Sequence, residues 1–343
     1  MISSDNVSGR TVAVAAVAAA GAAVLGVAVA RKLLEDKTPA ESDWRRVGTV
    51  STLNLFPLKS GKPVSSDKML ADEAGPALGL LRDRSFMAID RTGRAVTGRS
   101  HPGLLTVSVS PVAGKEGVME LRSSLVDKPL ILDTTELKAH SGRKVAIWHS
   151  TVSAVDCGDE AAAFIRKVAV TPAHPEASAA ADLRLTFYPW QRTDRRGVTK
   201  RARGINGIFA DETAYHVIVR SSLDALNEKL QVPVSSLNFR PNFVVDGPAA
   251  FEEDAWQWVR IGQAVFKVIM PCGRCILTTV DPETGVKSPA TEPLATLRKF
   301  RHPTPAQRAL MPPEDSHAPV MGIRMAIVKQ GEISLNDAVH VYP

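Results

Sequence analysis

From Arg46 onward, short apolar runs alternate with turn signals. In residues 104–110 the apolar positions Leu105, Val107 and Val109 recur at every second residue, which places them on one face of a half-buried strand. Runs rich in β-branched and aromatic residues predict further strands at 85–90, 144–155, 183–188, 215–219, 243–245, 256–261 and 265–270. Helical patterns are few: Ser222 is placed to cap a helix over 223–230, and shorter helices are expected at 160–168 and 294–300. Strands spaced this way, without regular strand–helix–strand alternation, predict a mainly β (α+β) chain of barrels or sandwiches rather than a doubly wound sheet. The Pro/Ala/Ser-rich stretch 171–178 is the best boundary. It divides the chain into an N-terminal tail at 1–44, a first domain at 45–172 and a second at 173–343.

Composition narrows the reading. A chain of 343 residues, 44% apolar and 23% charged, is long enough for two globular domains after the tail. Three cysteines cannot build a disulfide framework and suit a reducing compartment. Residues 11–30 carry no charge, and as a helix they would extend about 30 Å, the thickness of a bilayer core. Their small-x-small ending at Ala28-Val29-Ala30 makes a cleaved secretory signal the rival reading. The length of the run and Asp5 favour an uncleaved transmembrane anchor, with Arg31, Lys32 and Lys37 held on the cytosolic side. The net charge of +6 permits docking to acidic partners. A basic run holds Arg192, Arg195, Arg196, Lys200, Arg201 and Arg203 against Asp194 alone. It reads as a solvated loop or a docking site for an acidic protein. Nucleic acid is not expected as a partner, because no aromatic residues interleave to stack bases. The phosphate loop, the dinucleotide fingerprint, the H-E-x-x-H zinc motif and the G-x-S-x-G elbow are all missing from the sequence.

The chemistry gathers in residues 270–285, Met-Pro-Cys-Gly-Arg-Cys-Ile-Leu-Thr-Thr-Val-Asp-Pro-Glu-Thr-Gly. Cysteine sulfur selects thiophilic metals or redox work once deprotonated, and Arg274 beside Cys275 favours the thiolate. A structural zinc site needs about four Cys or His ligands, whereas this chain has one Cys pair and a solitary Cys157. A thioredoxin-type dithiol would precede a helix, but residues 276–280 are β-branched and predict a strand. Buried cysteines acting as small apolar fillers remain the plain alternative.

That segment closely resembles the signature of MOSC-domain proteins, in particular the amidoxime-reducing-component family. Phe56-Pro57-Leu58-Lys59-Ser60, Leu81-Arg82-Asp83-Arg84-Ser85-Phe86, Asp156-Cys157-Gly158 and Asn238-Phe239-Arg240-Pro241-Asn242 accompany it in the family's order. The resemblance implies a MOSC-associated N-terminal β-barrel domain and a C-terminal MOSC β-barrel domain, preceded by one transmembrane helix. It further implies a molybdenum cofactor, Mo-molybdopterin, with Cys275 as the metal's protein ligand and catalytic residue and Cys272 as a structural neighbour. Cofactor contacts would come from Lys59 and Ser60 on a turn, and from the guanidinium forks of Arg84 and Arg240, suited to phosphate or pterin. The paired donors and acceptors of Asn238 and Asn242 would add to these, with Asp211, Glu212, Thr213, Gly273, Arg274 and Arg324.

Three positions depart from the family pattern. Glu212 adds a carboxylate, Gly273 replaces a serine, and Arg324 stands where relatives can have tyrosine. The implied activity is two-electron reduction of amidoximes, hydroxylamines and N-hydroxylated bases. The sequence marks no general acid; Asp211 and Glu212 are the only sequence-near candidates, and carboxylates on a loop are usually solvated. Electrons would come from cytochrome b5 and its NADH-dependent reductase. The implied location is a cytosol-facing membrane, the mitochondrial outer membrane by resemblance. Two other classes stay open: a carrier passing cofactor or sulfur through Cys275, and a thiol-disulfide protein using Cys272 with Cys275.

Overall fold

A computed structural model describes residues 38–139, 142–148, 150–170, 182–189 and 207–343. The expected anchor at 11–30, the boundary stretch 171–178 and the basic run 192–203 lie outside the described residues. Among the described residues no helix is long and apolar enough to cross a membrane.

Seven strands, labelled in chain order, close a barrel: β1 (Arg45–Leu55), β2 (Tyr215–Val219), β3 (Phe243–Asp246), β4 (Trp258–Ile261), β5 (Ala264–Gly273), β6 (Val320–Lys329) and β7 (Ala338–Tyr342). Their order is β3-β2-β6-β5-β4-β7-β1, and β1 closes the ring by pairing antiparallel with β3, from Thr49 opposite Asp246 to Leu53 opposite Phe243. Only β2 and β3 run parallel in this ring. A parallel pair requires a crossover, which includes the helix Arg220–Asn227.

Inside the barrel, Tyr215, Val217, Val219, Phe243, Phe266, Ile323 and Met325 alternate into one core. The opposite faces of β2 and β3 bury Ile218 and Val244 against Leu223, Leu226 and Leu297 of two helices. Burial on both faces explains why these strands read as unbroken apolar runs.

The N-terminal half holds a five-stranded sheet ordered Arg143–Ile147, Ser150–Asp156, Arg184–Phe187, Phe86–Ile89, Ala95–Val96, and a three-stranded sheet of Val126–Asp133, Val118–Ser123 and Ser108–Pro111. Helix Asp159–Ala169 packs Phe164, Ile165 and Val168 into their shared core with Leu104, Val107 and Leu121. The chain is therefore mainly β, with a closed C-terminal barrel. The halves interlock: β1 belongs to the C-terminal barrel, whereas Gly331–Ser334 pairs with Lys68–Asp72 and Arg184–Phe187 pairs with Phe86–Ile89.

Three local expectations give way. Residues 276–280, expected as a strand, instead form the 3-10 helix Ile276–Thr279. Thr278 Oγ1 donates to Cys275 O at 2.9 Å and Thr279 Oγ1 to Ile276 O at 2.8 Å, local bonds that compete with a strand ladder. Residues 104–110 begin in the 3-10 helix Pro102–Thr106 and become extended only at Ser108–Pro111, since Pro102 opens a helical turn readily. Ser222 caps nothing: its helix begins at Arg220, and the hydroxyl donates to Glu253 Oε2 at 2.8 Å while accepting the Phe251 N–H at 2.7 Å.

Candidate active site

One cleft between the halves is lined by every residue expected at the site, from Lys59, Ser60 and Arg84 to Cys275 and Arg324. Its floor is built around an aromatic ring. The guanidinium of Arg240 lies 4.3 Å from the centre of the Phe56 ring, and that of Arg84 lies 4.8 Å from it. Arg84 pairs with the Asp83 carboxylate. Arg240 Nη1 donates to Gly61 O at 2.7 Å, but its Nη2 is buried without a partner. Burial first, and the neighbouring Arg84 second, push the Arg240 guanidinium down to about 9. A buried cation beside a like charge, with an unpartnered N–H, is suited to bind an anion. Ser60, Arg84 and Arg240 all hold left-handed backbone, with φ of 69°, 47° and 56°. For residues other than glycine this conformation is strained, and such strain gathers at ligand sites.

Lys59 supplies a fourth charge. Its buried ammonium donates to Phe209 O at 2.9 Å and to Asp211 Oδ1 at 2.5 Å. Although burial raises the Asp211 carboxyl, Lys59, the Trp148 N–H and Arg99 together hold it well below the usual carboxylate range. Asp211 is thus held as an anion by its partners, which makes it a poor candidate for a general acid. The Asp315 carboxyl moves the other way: burial and the nearby Glu212 raise it, while Arg324 and Arg99 oppose.

The sulfur side rests on β5, β6 and the turn at 275–279. Cys275 stands half-buried at the N-terminus of that turn and faces the cleft. Asn238 Nδ2 pins the turn through Thr278 O at 3.1 Å, while its Oδ1 closes a capping box with Ser235. Asn242 is engaged likewise: its Oδ1 accepts the His216 N–H, and its Nδ2 donates to Asn54 O and Asp83 Oδ1. Both asparagines therefore shape the cleft through the backbone, whereas the sequence reading gave their amides to a cofactor. Thr213 Oγ1 is also engaged, donating to Tyr215 O at 3.0 Å.

Arg274 is a staple. It donates to Met321 O at 2.9 and 2.6 Å, to Phe239 O at 3.0 Å and to His216 Nε2 at 2.5 Å. Burial and Arg274 lower the His216 pKa, so a neutral ring accepts at Nε2 and turns Nδ1 toward Arg240 O at 3.4 Å. Arg324 Nε donates to Cys272 Sγ at 3.3 Å. Burial works against ionising Cys272, but the charges of Arg274 and Arg324 overcome it and hold that thiol well below its ordinary value. Sequence neighbours pointed Arg274 at Cys275. The fold brings Arg274, together with Arg324 from another strand, to Cys272. Sequence reasoning also left out Thr97, Arg99, His216 and Asp315, which complete the lining without any motif to mark them. A Cβ on Gly273 would sit 3.0 Å from Met311 Cε and 3.3 Å from Ala318 Cβ, so a serine there would need the flexible methionine to yield.

Residues 47–172 match the MOSC N-terminal beta barrel domain, and residues 206–340 match the MOSC domain. Mitochondrial amidoxime reducing component 2 of Bos taurus is 34% identical over 307 residues, spanning 86% of this chain and 84% of that protein. Mitochondrial amidoxime-reducing component 1 of Homo sapiens is 31% identical over 300 residues, spanning 87% and 84% respectively.

The chain belongs to the MOSC-domain amidoxime-reducing-component family.

Membership supports a molybdenum-cofactor-binding oxidoreductase, and the residues present fit such a group. Arg240, Arg84 and Ser60 form a cationic, strained cradle on one side of the cleft, while a half-buried thiol at Cys275 lines the same cleft. Among the described residues no cluster of three or more His, Cys, Asp or Glu side chains is arranged to hold a metal.

Proposed function

We propose that this MOSC protein binds Mo-molybdopterin in the cleft, with Cys275 as its protein sulfur ligand, and reduces N-hydroxylated compounds such as amidoximes, hydroxylamines and N-hydroxylated bases. The observation that carries the reading is the unpartnered N–H of Arg240, beside Arg84, in the cleft that also holds Cys275. When bound, the cofactor supplies a two-electron centre able to take oxygen from nitrogen. Overall, two electrons and two protons convert an N–OH group to N–H and water. Arg84, Arg240 and Ser60 bind the anionic end of the cofactor. Asn238 and Arg274 fix the turn and strand that carry Cys275. Asp211 keeps the Lys59 ammonium oriented toward the cleft. Asp315 lines the same cleft, and burial raises its carboxyl whereas that of Asp211 is lowered.

No nicotinamide or flavin fingerprint occurs in the sequence, so the electrons come from another protein. The family resemblance points to cytochrome b5 and its NADH-dependent reductase, at a mitochondrial membrane reached through residues 11–30. The two relatives are named as mitochondrial components.

The test is molybdenum content together with turnover of the full chain, produced in a host that makes the cofactor. Cys275→Ser should lose the metal and N-reduction together, whereas Cys272→Ser should keep the metal in the folded fraction. If both cysteines prove necessary and the protein is metal-free, the chain is a dithiol protein. If cofactor is bound but no N–O bond is cleaved, it is a carrier.

A further inference from the structure

Trp148 lies in the turn of the hairpin between Arg143–Ile147 and Ser150–Asp156, far in sequence from the cysteines. It is 53% exposed, and its backbone is left-handed at φ 50°. A bulky side chain seldom holds that conformation, and a turn of this kind is easier to build with glycine or asparagine. An aromatic ring kept at such a position, and half in water, needs a reason.

Two contacts fix the ring at the mouth of the cleft. Its Nε1–H donates to Asp211 Oδ1 at 2.8 Å, and Asp211 is itself tied to the buried Lys59. The Arg99 guanidinium lies 4.7 Å from the ring centre. Asp211 and Arg99 both line the cleft, so the indole is held at its rim by one edge and one face. The residue still keeps about half of its surface exposed, at 53%. A rigid aromatic plane, oriented by an ion pair and leaning on a cation, is suited to stack a flat π-system.

We propose that Trp148 is a specificity-determining residue: its exposed ring, held against the cleft-lining Asp211 and Arg99, stacks the planar aromatic part of a substrate whose N–OH head enters the cleft. The inference rests on the N-reductive reading above and narrows it to substrates with a flat ring attached to the reducible nitrogen group, such as aryl amidoximes and N-hydroxylated bases. Alkyl analogues with the same head gain nothing from the shelf. Arg99 and Asp211 are positioning residues for the ring.

The test compares benzamidoxime with acetamidoxime, which share the reacting group and differ in the ring. The readout is the ratio of their kcat/KM values in cofactor-loaded full-length protein. Trp148→Ala should lower the aryl-to-alkyl ratio by about five- to tenfold, mostly through KM for the aryl substrate. Trp148→Phe keeps a ring but lacks the N–H to Asp211, and it should hold the ratio within about twofold of wild type. Calorimetric binding of benzamidine, which cannot be reduced, should weaken by a similar factor in the Ala variant. An unchanged ratio with unchanged benzamidine affinity overturns the shelf and leaves the N-reductive reading intact. A Phe variant as impaired as the Ala variant also overturns it, because the N–H bond would then matter and the ring face would not. Wild-type protein that reduces neither amidoxime removes both the shelf and the reading beneath it.

Discussion

Replacing Arg240 by methionine sets stability against ligand capture. In the protein without cofactor, this guanidinium is 9% exposed, lies beside Arg84 and has one buried N–H without a partner. The fall of its pKa from 12.5 to about 9 corresponds to about 5 kcal/mol of unfavourable free energy for the charged form. Two contacts offset part of this. A charge-assisted bond to Gly61 O at 2.7 Å contributes about 1.5–3 kcal/mol, and the Phe56 contact at 4.3 Å about 1–2 kcal/mol. The remainder, about 1 kcal/mol, opposes folding. Arg240→Met removes the charge and keeps an unbranched chain over Phe56, so the cofactor-free protein should gain about 1 kcal/mol, or about 1–2 °C in midpoint. The same variant should retain far less molybdenum than wild type when made in a cofactor-competent host. Calorimetry on the cofactor-free proteins and elemental analysis on the loaded ones check the two halves. A variant that loses about 2 kcal/mol or more while keeping its metal would refute the view that Arg240 is held for an anion.

Glu253 provides a test away from the cleft. It is fully buried with one oxygen unpartnered, and burial pushes its carboxyl from 4.5 up to about 7. The fold prefers the protonated acid, so its contribution is complete below pH 4.5 and is lost as pH rises through about 7. Glu253→Gln should therefore gain about 2–3 kcal/mol relative to wild type on going from pH 5 to pH 8, read by urea unfolding at both values; a constant difference would sink the assignment. Gly322 has φ 72°, and an added Cβ would lie 2.4 Å from Val217 O and 2.9 Å from His216 Nε2. Gly322→Ala should cost about 3 kcal/mol or more and disturb His216. A loss under about 1 kcal/mol in the urea midpoint would show that β6 relaxes there.

Sequence and structure agree where burial alone decides the outcome. The runs at 215–219 and 294–300 are a strand and a helix with those bounds, because each pattern matches one period and nothing local competes. At 276–280 the β-branched pattern misled, since two threonine hydroxyls bond backward to carbonyls and wind the segment into a turn. The site was legible as a set of residues through the resemblance, and the fold does gather them in one cleft. Their individual duties were not legible. The engagement of Asn242 by Asn54 and Asp83, the Arg324 contact to Cys272, and the Arg99–Trp148–Asp211 chain each join residues from distant segments. Nor does a sequence mark left-handed backbone at Ser60, Arg84 or Arg240, because only glycine announces that conformation in advance.

The stave contributed by β1 has a consequence for biogenesis. Arg45 pairs with Val341 and Thr49 with both Ala338 and Asp246, so β1 finds one lateral neighbour only after the strands between them in the sequence have been made. Closure of this ring thus joins almost opposite ends of the described chain, the kind of distant pairing that slows folding. Until then β3 and β7 keep raw hydrogen-bonding margins, and Arg84 and Arg240 lack the Phe56 ring that directly follows β1. The cradle of Ser60, Arg84 and Arg240 around Phe56 therefore draws on both halves, and neither half can build it alone.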